Sequence, residues 1–427
     1  MNYLVRRNIL MITYFRGFKT DYGSYSSNVK LAFMANILIQ IGMGIFMTLY
    51  NLYLKDLGYS EQTNGNVIAL TALAQTFFLV PAGFLSDRKG RKNMMAVGAA
   101  LSAVLMIGRS VIEWELLLLV FAFGSGIFMS FIQVSMIPWL AENSTEKERS
   151  KLFSFHFAVM MAASVIGNLA GGVLTDLFTF AGLQSTDSLR LTLLIGSGVY
   201  LAGLFPVLLM KEERKRQKPK KLKETADGNQ NWKLVILFVG AQAIIGLGSG
   251  LVIPYLNLYF ADRFDISFSA IGIILSLGQG ATAVAMLIGP AIVSRMGEVK
   301  AVVLLQLLSL PFLLITGFTT NIYLAVIGFL FRQALMNAGN PIQTSLMMRK
   351  VPDHQKGIAN SLSQMAFSFG WAAMGPVSAY VVAEYGSYWG YANVFSLTGI
   401  IYLAGAIYFY IVFKEEKTTV VQKRAAV

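Results

Sequence analysis

The chain contains no cysteine and only two histidines, His156 and His354. Disulfides, thiolate metal sites and cysteine nucleophiles are therefore excluded, and no HExxH pair is present. Charge is scarce as well. Of 427 residues 13% are charged and 55% hydrophobic, a balance far from that of a soluble globular domain. Leu31 to Leu54, Leu234 to Ala261, Ile266 to Ser294 and Gly357 to Ala383 carry no charged residue at all. Each stretch exceeds the roughly 20 residues that a membrane-spanning helix needs. Barrel strands would be about ten residues long with alternating polarity, which these runs do not show. The expected class is an all-α membrane protein.

Spans are expected over about 31–54, 64–86, 92–110, 116–140, 151–176, 189–210, 233–260, 267–292, 300–318, 321–347, 356–383 and 391–413, twelve in all. With the N-terminus placed in the cytoplasm, 30 of the 35 Lys and Arg residues fall on the inner side. Only Lys55, Arg109, Arg190 and Arg263 lie near the outer side, and Arg332 lies inside a span. The net charge of +13 then describes topology and anionic lipid, and excludes nucleic acid as the partner. Trp114, Trp139, Trp232 and Trp389 fall at expected span ends, as an interfacial aromatic belt requires. The N-terminal "RRNILMITYFRGFK" is too short and too punctuated by Arg16 and Lys19 for a signal peptide or a span.

The chain repeats itself. "GMGIFMTLYNLYLKD" from Gly42 reads against "GSGLVIPYLNLYFAD" from Gly248, with Asn51-Leu52-Tyr53 on Asn257-Leu258-Tyr259. Arg88 and Gly90 match Arg295 and Gly297, and Gly167 matches Gly375, at nearly the same offset. The expected organisation is a cytoplasmic segment 1–30, a six-helix bundle 31–210, a lysine-rich linker 211–231, a second bundle 232–413 and a tail 414–427. Six spans return the chain to its starting side, so the halves are parallel repeats about an axis along the membrane normal.

"GFLSDRKGRK", from Gly83 to Lys92, packs five ionisable residues and two glycines between two apolar spans. It resembles the signature loop between the second and third spans of the major facilitator superfamily, position for position. The likeness is to twelve-span secondary transporters, bacterial and of the drug-exporter kind. It implies the two-bundle fold of that family, alternating access and a gate formed by Gly83, Asp87, Arg88, Gly90, Arg91 and Glu142. In the family the carboxylate at the position of Asp87 faces the N-terminus of the eleventh span, here near Gln355 to Ile358, where unpaired N–H groups favour an anion. Two features depart from the exporter pattern. The fourth-span arginine has no counterpart in Leu116 to Gly126, and Asn168 stands where the fifth-span motif has proline.

No carboxylate lies mid-span to carry a proton, so coupling to a proton gradient would have to use a gate group such as Asp87, or His156, and neither a cofactor nor a metal is expected. Arg332 is the one mid-span charge. A charge at that depth must have a partner, either a substrate anion or carbonyls of a neighbouring span. Asn36 and Gln40 lie one turn apart in the first span, with Gln242 as their repeat equivalent. With Gln75, Gln133, Gln279, Asn337, Gln364 and Trp371 they are candidates for a midplane cavity. The expected function is export of amphipathic small molecules by a monomer in the plasma membrane. The alternatives are transport of a polar organic anion held by Arg332, and a membrane receptor that does not transport. Enzyme activity is not expected, because no nucleophile has a partner at helical spacing.

Overall fold

The computed structural model describes residues 25–211, 232–352 and 355–414. Most of the expected N-terminal segment, linker and tail, together with His354, lies outside the described residues. All regular structure among those described is helical. In lipid every backbone polar group must be satisfied within its own segment, so apolar runs of this length form helices.

The first five spans are Ser27–Asp56, Glu61–Lys89, Arg91–Val111, Glu115–Glu142 and Glu146–Phe180. The sixth is Ser185–Ala202 continued by Leu204–Leu209, and the seventh is Trp232–Val252 continued by Leu256–Phe264. The eighth to tenth are Phe268–Met296, Glu298–Phe318 and Ile322–Lys350. The last helical stretch, Lys356–Phe413, runs for 58 residues. At 1.5 Å per residue that is about 87 Å, far more than the ~30 Å of a hydrocarbon core. It breaks at Gly386, with φ 73° and ψ 177°, into the eleventh and twelfth spans. The expected count of twelve is therefore the count found among the described residues.

The repeat is visible in local geometry. Ser60 caps the second span by accepting from Thr63 N, and Ser267 caps the eighth by accepting from Ala270 N, at 3.1 and 3.2 Å. Gly90 and Gly297 end the second and eighth spans with φ of 95° and 80°. A side chain is strained at such angles, so a glycine at this turn is required in both halves. Tyr53 donates to the carbonyl of Ser110 across the first bundle, and its counterpart Tyr259 donates to that of Thr316 across the second.

The hydrophobic core divides unevenly along the membrane normal. One large buried cluster draws on both halves, from Leu49 and Tyr53 to Tyr255 and Tyr391. Two smaller clusters are confined to single halves. One holds Phe33, Met136, Trp139 and Val207, and the other Phe238, Leu305, Leu346 and Phe409. Both small clusters lie toward the end where the Lys- and Arg-rich loops gather, hereafter the basic end. The halves thus share a core at the far end and are separate at the basic end.

Candidate functional site

The seal at the far end is built on the repeat. Pro254 has no N–H and falls in a single 3-10 turn, Ile253–Tyr255, that interrupts the seventh span. The Leu258 amide turns to Asn257 Oδ1 at 2.9 Å, and the Pro254 carbonyl accepts from Asn51 Nδ2 at 2.7 Å. Asn257 Nδ2 in return donates to the Thr48 carbonyl at 2.8 Å. The two asparagines that mark the repeat therefore clasp each other's helix reciprocally. Beyond them Lys55 donates to Asp262 Oδ1, whose other oxygen accepts from Tyr391 at 2.7 Å.

A second seal joins the fifth span to the eighth. Asp176 accepts from the amides of Phe268 and Ser269, at 3.3 and 2.8 Å. These are the unpaired amides of the first helical turn, where an anion is favoured by the partial positive charge of the helix end. Ser276 adds a bond to the Val165 carbonyl at 3.0 Å. Asn168, at the position of the family's proline, accepts from Thr48 at 3.1 Å and so ties the fifth span to the first.

At the basic end Arg91 bridges Asp87 at 3.0 Å and Glu142 at 2.6 Å. Arg88 is exposed and has no ion pair among the described residues. The Asp87 side chain is 65% exposed, and in this conformation it does not reach the eleventh span. The second half holds the same bridge with its charges exchanged, since Arg349 on the tenth span donates to Glu298 on the ninth at 2.6 Å.

Within the second half, toward the basic end, a cavity of about 200 Å³ lies among the seventh, tenth and eleventh spans. Gln242 and Gln364, both candidates from the sequence, line it together with Asn340, Gln343 and Asn360. Gln242 donates to Gln343 at 3.3 Å. Asn337 stands one turn away and donates to Thr282 at 3.4 Å. The other candidates go elsewhere. Gln75 and Gln133 bond each other at 2.7 Å, between the second and fourth spans. Asn36 is buried in the first span with its Nδ2 unbonded, and Gln40 is half-buried one turn on. Trp371 donates to Ser249 at 2.9 Å, linking the eleventh span to the seventh.

Arg332 is 2% exposed. Its Nη1 donates to Gln333 Oε1 at 3.0 Å and its Nη2 to the Tyr402 hydroxyl at 2.9 Å. A second buried arginine escaped the sequence reading. Arg109 sits at the end of the third span and was expected near the outer surface, but its guanidinium lies 4.0 Å from the Tyr50 ring centre and donates to Ser125 at 3.2 Å. Phe46 and Tyr50, one turn apart on the first span, meet the Arg109 guanidinium of the third span only in the folded bundle. Gln343 and Asn360 were missed too. The only sequence signal was Asn360 and Gln364 at i, i+4, which share a face.

Twelve spans in two repeat-related bundles, joined at one end, with a small cavity in the second bundle toward the other, define a secondary transporter. The chain belongs to the Major Facilitator Superfamily, whose sequence model matches residues 32–241 and 238–426. It is similar to the multidrug resistance protein MdtG of Proteus mirabilis, 26% identical over 413 residues, covering 93% of this chain and 98% of that one. It is also similar to the multi-drug resistance efflux pump PmrA of Streptococcus pneumoniae serotype 4, 22% identical over 388 residues and covering 88% and 94% of the two chains. Among solved structures, the nucleoside transporter NupG superposes with a TM-score of 0.71 at 17% identity, covering 92% of this chain and all of that one. The inward open xylose transporter XylE from E. coli superposes at 0.68 and 14% identity, covering 93% and 98%. At such identities the structures share the fold.

Proposed function

We propose that the protein exports amphipathic organic molecules, with both termini and the basic end in the cytoplasm. The observation that carries this reading is the distribution of bonds between the halves. The hydrogen bonds from Asn51, Asn257, Asp176 and Ser276 that join them lie on the far side, while the cavity lies toward the basic end. In this conformation the site is loaded from the cytoplasm, and closing the Asp87 region while breaking the far seal would release the substrate outside. The multidrug names of the relatives favour export, and the confinement of Arg332 within its own bundle disfavours the anion reading. The intact gate sequence disfavours a receptor. The reading takes the protein as a monomer without cofactor, and a proton gradient has no mid-span carboxylate to act on.

The test is purified protein in vesicles, assayed with organic cations, organic anions and sugars, with and without a pH gradient. Accumulation of an amphipathic compound in inside-out vesicles is expected, and failure of every class to move overturns export. Orientation is checked in the same vesicles. With no native cysteine, single cysteines at the exposed positions Lys89 and Asn321 should react with an impermeant maleimide from opposite sides. Labelling from one side would refute the topology.

The gate has its own expected outcome. Asp87→Asn removes the anion that would meet the N-terminus of the eleventh span when the basic end closes, an interaction of about 0.3–2 kcal/mol. Transport should fall and cytoplasmic accessibility rise, with the protein still folded. Unchanged values of both would show that Asp87 is no latch.

A further inference from the structure

The cavity in the second half is unusual in what its polar groups are doing. Five carboxamides face it, and no charged residue lines it. In the first half Gln75 and Gln133 bond each other. In the second half Asn360 and Gln364 make no hydrogen bond to protein among the described residues. Asn340 keeps its carbonyl oxygen free, spending one N–H on Asn337 at a long 3.4 Å. Amides on a cavity wall with no protein partner, Asn360 half-buried and Gln364 exposed, leave binding capacity for a ligand.

A carboxamide offers both donors and an acceptor, and so complements a hydroxyl or another amide, which also needs both. A cation or anion entering this cavity would leave water without a counter-charge, which is costly in a half-buried site. The fixed charges that flank it on the tenth span are already engaged: Arg332, eight residues and about 12 Å along the helix from Asn340, with Tyr402, and Arg349, two residues beyond Met347, with Glu298. Volume sets a further limit. About 200 Å³ is smaller than the ~300–1,000 Å³ of a pocket that encloses a whole drug-sized ligand. It admits one ring and its substituents. Phe238, Phe367 and Met347 in its wall provide apolar faces against which such a ring can stack, while the rest of the ligand stays in the open space between the halves.

We propose that this cavity is the head-group subsite of the transporter and takes an uncharged, hydroxyl- or amide-rich ring carried on an apolar body, making neutral glycoside-like amphipaths the preferred substrates. The proposal rests on the export reading and narrows its substrate class. Asn360 and Gln364 are the specificity-determining residues, and Gln242, Asn340 and Gln343 complete the amide wall.

The test uses three probes that share one apolar body and differ in charge: naphthyl β-D-glucoside, naphthylmethyl trimethylammonium and naphthoate. Binding is read as a shift in melting temperature of the full chain, and transport in vesicles. The glucoside should bind and move about tenfold better than either ion. Gln364→Leu and Asn360→Leu should each weaken the glucoside by about 3- to 10-fold, the effect of one lost hydrogen bond, without altering the ligand-free melting temperature. Gln364→Glu should turn the preference toward the cation. Equal handling of the three probes, or preference for an ion by the unaltered protein, overturns the neutral-head proposal and leaves export standing. Glucoside binding lost on Gln364→Leu but with no probe transported supports the subsite and overturns export. Neither binding nor transport of any probe overturns both.

Discussion

Gly172→Leu should abolish transport while leaving the protein folded. A Cβ at this position would lie 2.2 Å from the Phe268 carbonyl oxygen and 2.9 Å from Ser269 Cα, both backbone atoms of the opposite half. Backbone at a helix terminus cannot rotate aside as a side chain can, so the fifth and eighth spans must part. Asp176 lies four residues on, on the same face of the helix, and its cap on the eighth span is lost with the contact. Overpacking of this kind costs about 1–3 kcal/mol, which lowers the population of the far-sealed conformer by roughly 5- to 150-fold. Folding survives because each half keeps a cluster of its own. Labelling of Thr48→Cys, buried in this conformation, should rise on the outer side. Full transport with no gain in labelling would show that the seal is not where the structure puts it.

Arg332→Gln and Tyr402→Phe should lower the melting temperature in detergent by several degrees and leave the ranking of substrates unchanged. Tyr402→Phe strips the Nη2 donor of its acceptor, and bonds to a charged group are worth about 1.5–3 kcal/mol. The guanidinium also lies 5.6 Å from the Tyr402 ring centre, and its Nε already lacks a partner. A buried arginine held this sparingly tolerates little further loss. Arg332→Lys keeps the charge but not the planar fork, so it should fall between wild type and Arg332→Gln. A change of substrate ranking at unchanged stability would return Arg332 to the substrate pathway and revive the anion reading.

Much of this molecule was legible in advance. Periodicity was hardly needed to find the spans, since the absence of charge over twenty or more residues marks a helix when lipid is the solvent. The repeat showed in Asn51-Leu52-Tyr53 against Asn257-Leu258-Tyr259, and the family in the loop Gly83 to Lys92. What those markers do was less evident. Asn51 and Asn257 served as signs of duplication, and only the structure shows that they bond across the halves. In the sequence Asp176 is only the last residue of the expected fifth span. Its role as a cap on the eighth span depends on a helix that begins 92 residues later. The amides divided the same way, with Gln75 and Gln133 consumed by each other and Gln242 and Gln364 left at a cavity wall.

The sequence by itself determined that this is a twelve-span helical protein built twice over, with its basic loops on one side and a charged hinge between its second and third spans. Those features are local, because a helix in lipid must bond its own backbone and a loop must carry its own charge. Only the tertiary structure decided which end is sealed, which amides remain free and where the two buried arginines point. These depend on contacts between different helices, from Gln75 with Gln133 and Arg332 with Tyr402 to Thr48 with Asn168 and Asn51 with Pro254. Small shifts in helix crossing make or break such contacts, and a transporter must be able to do both.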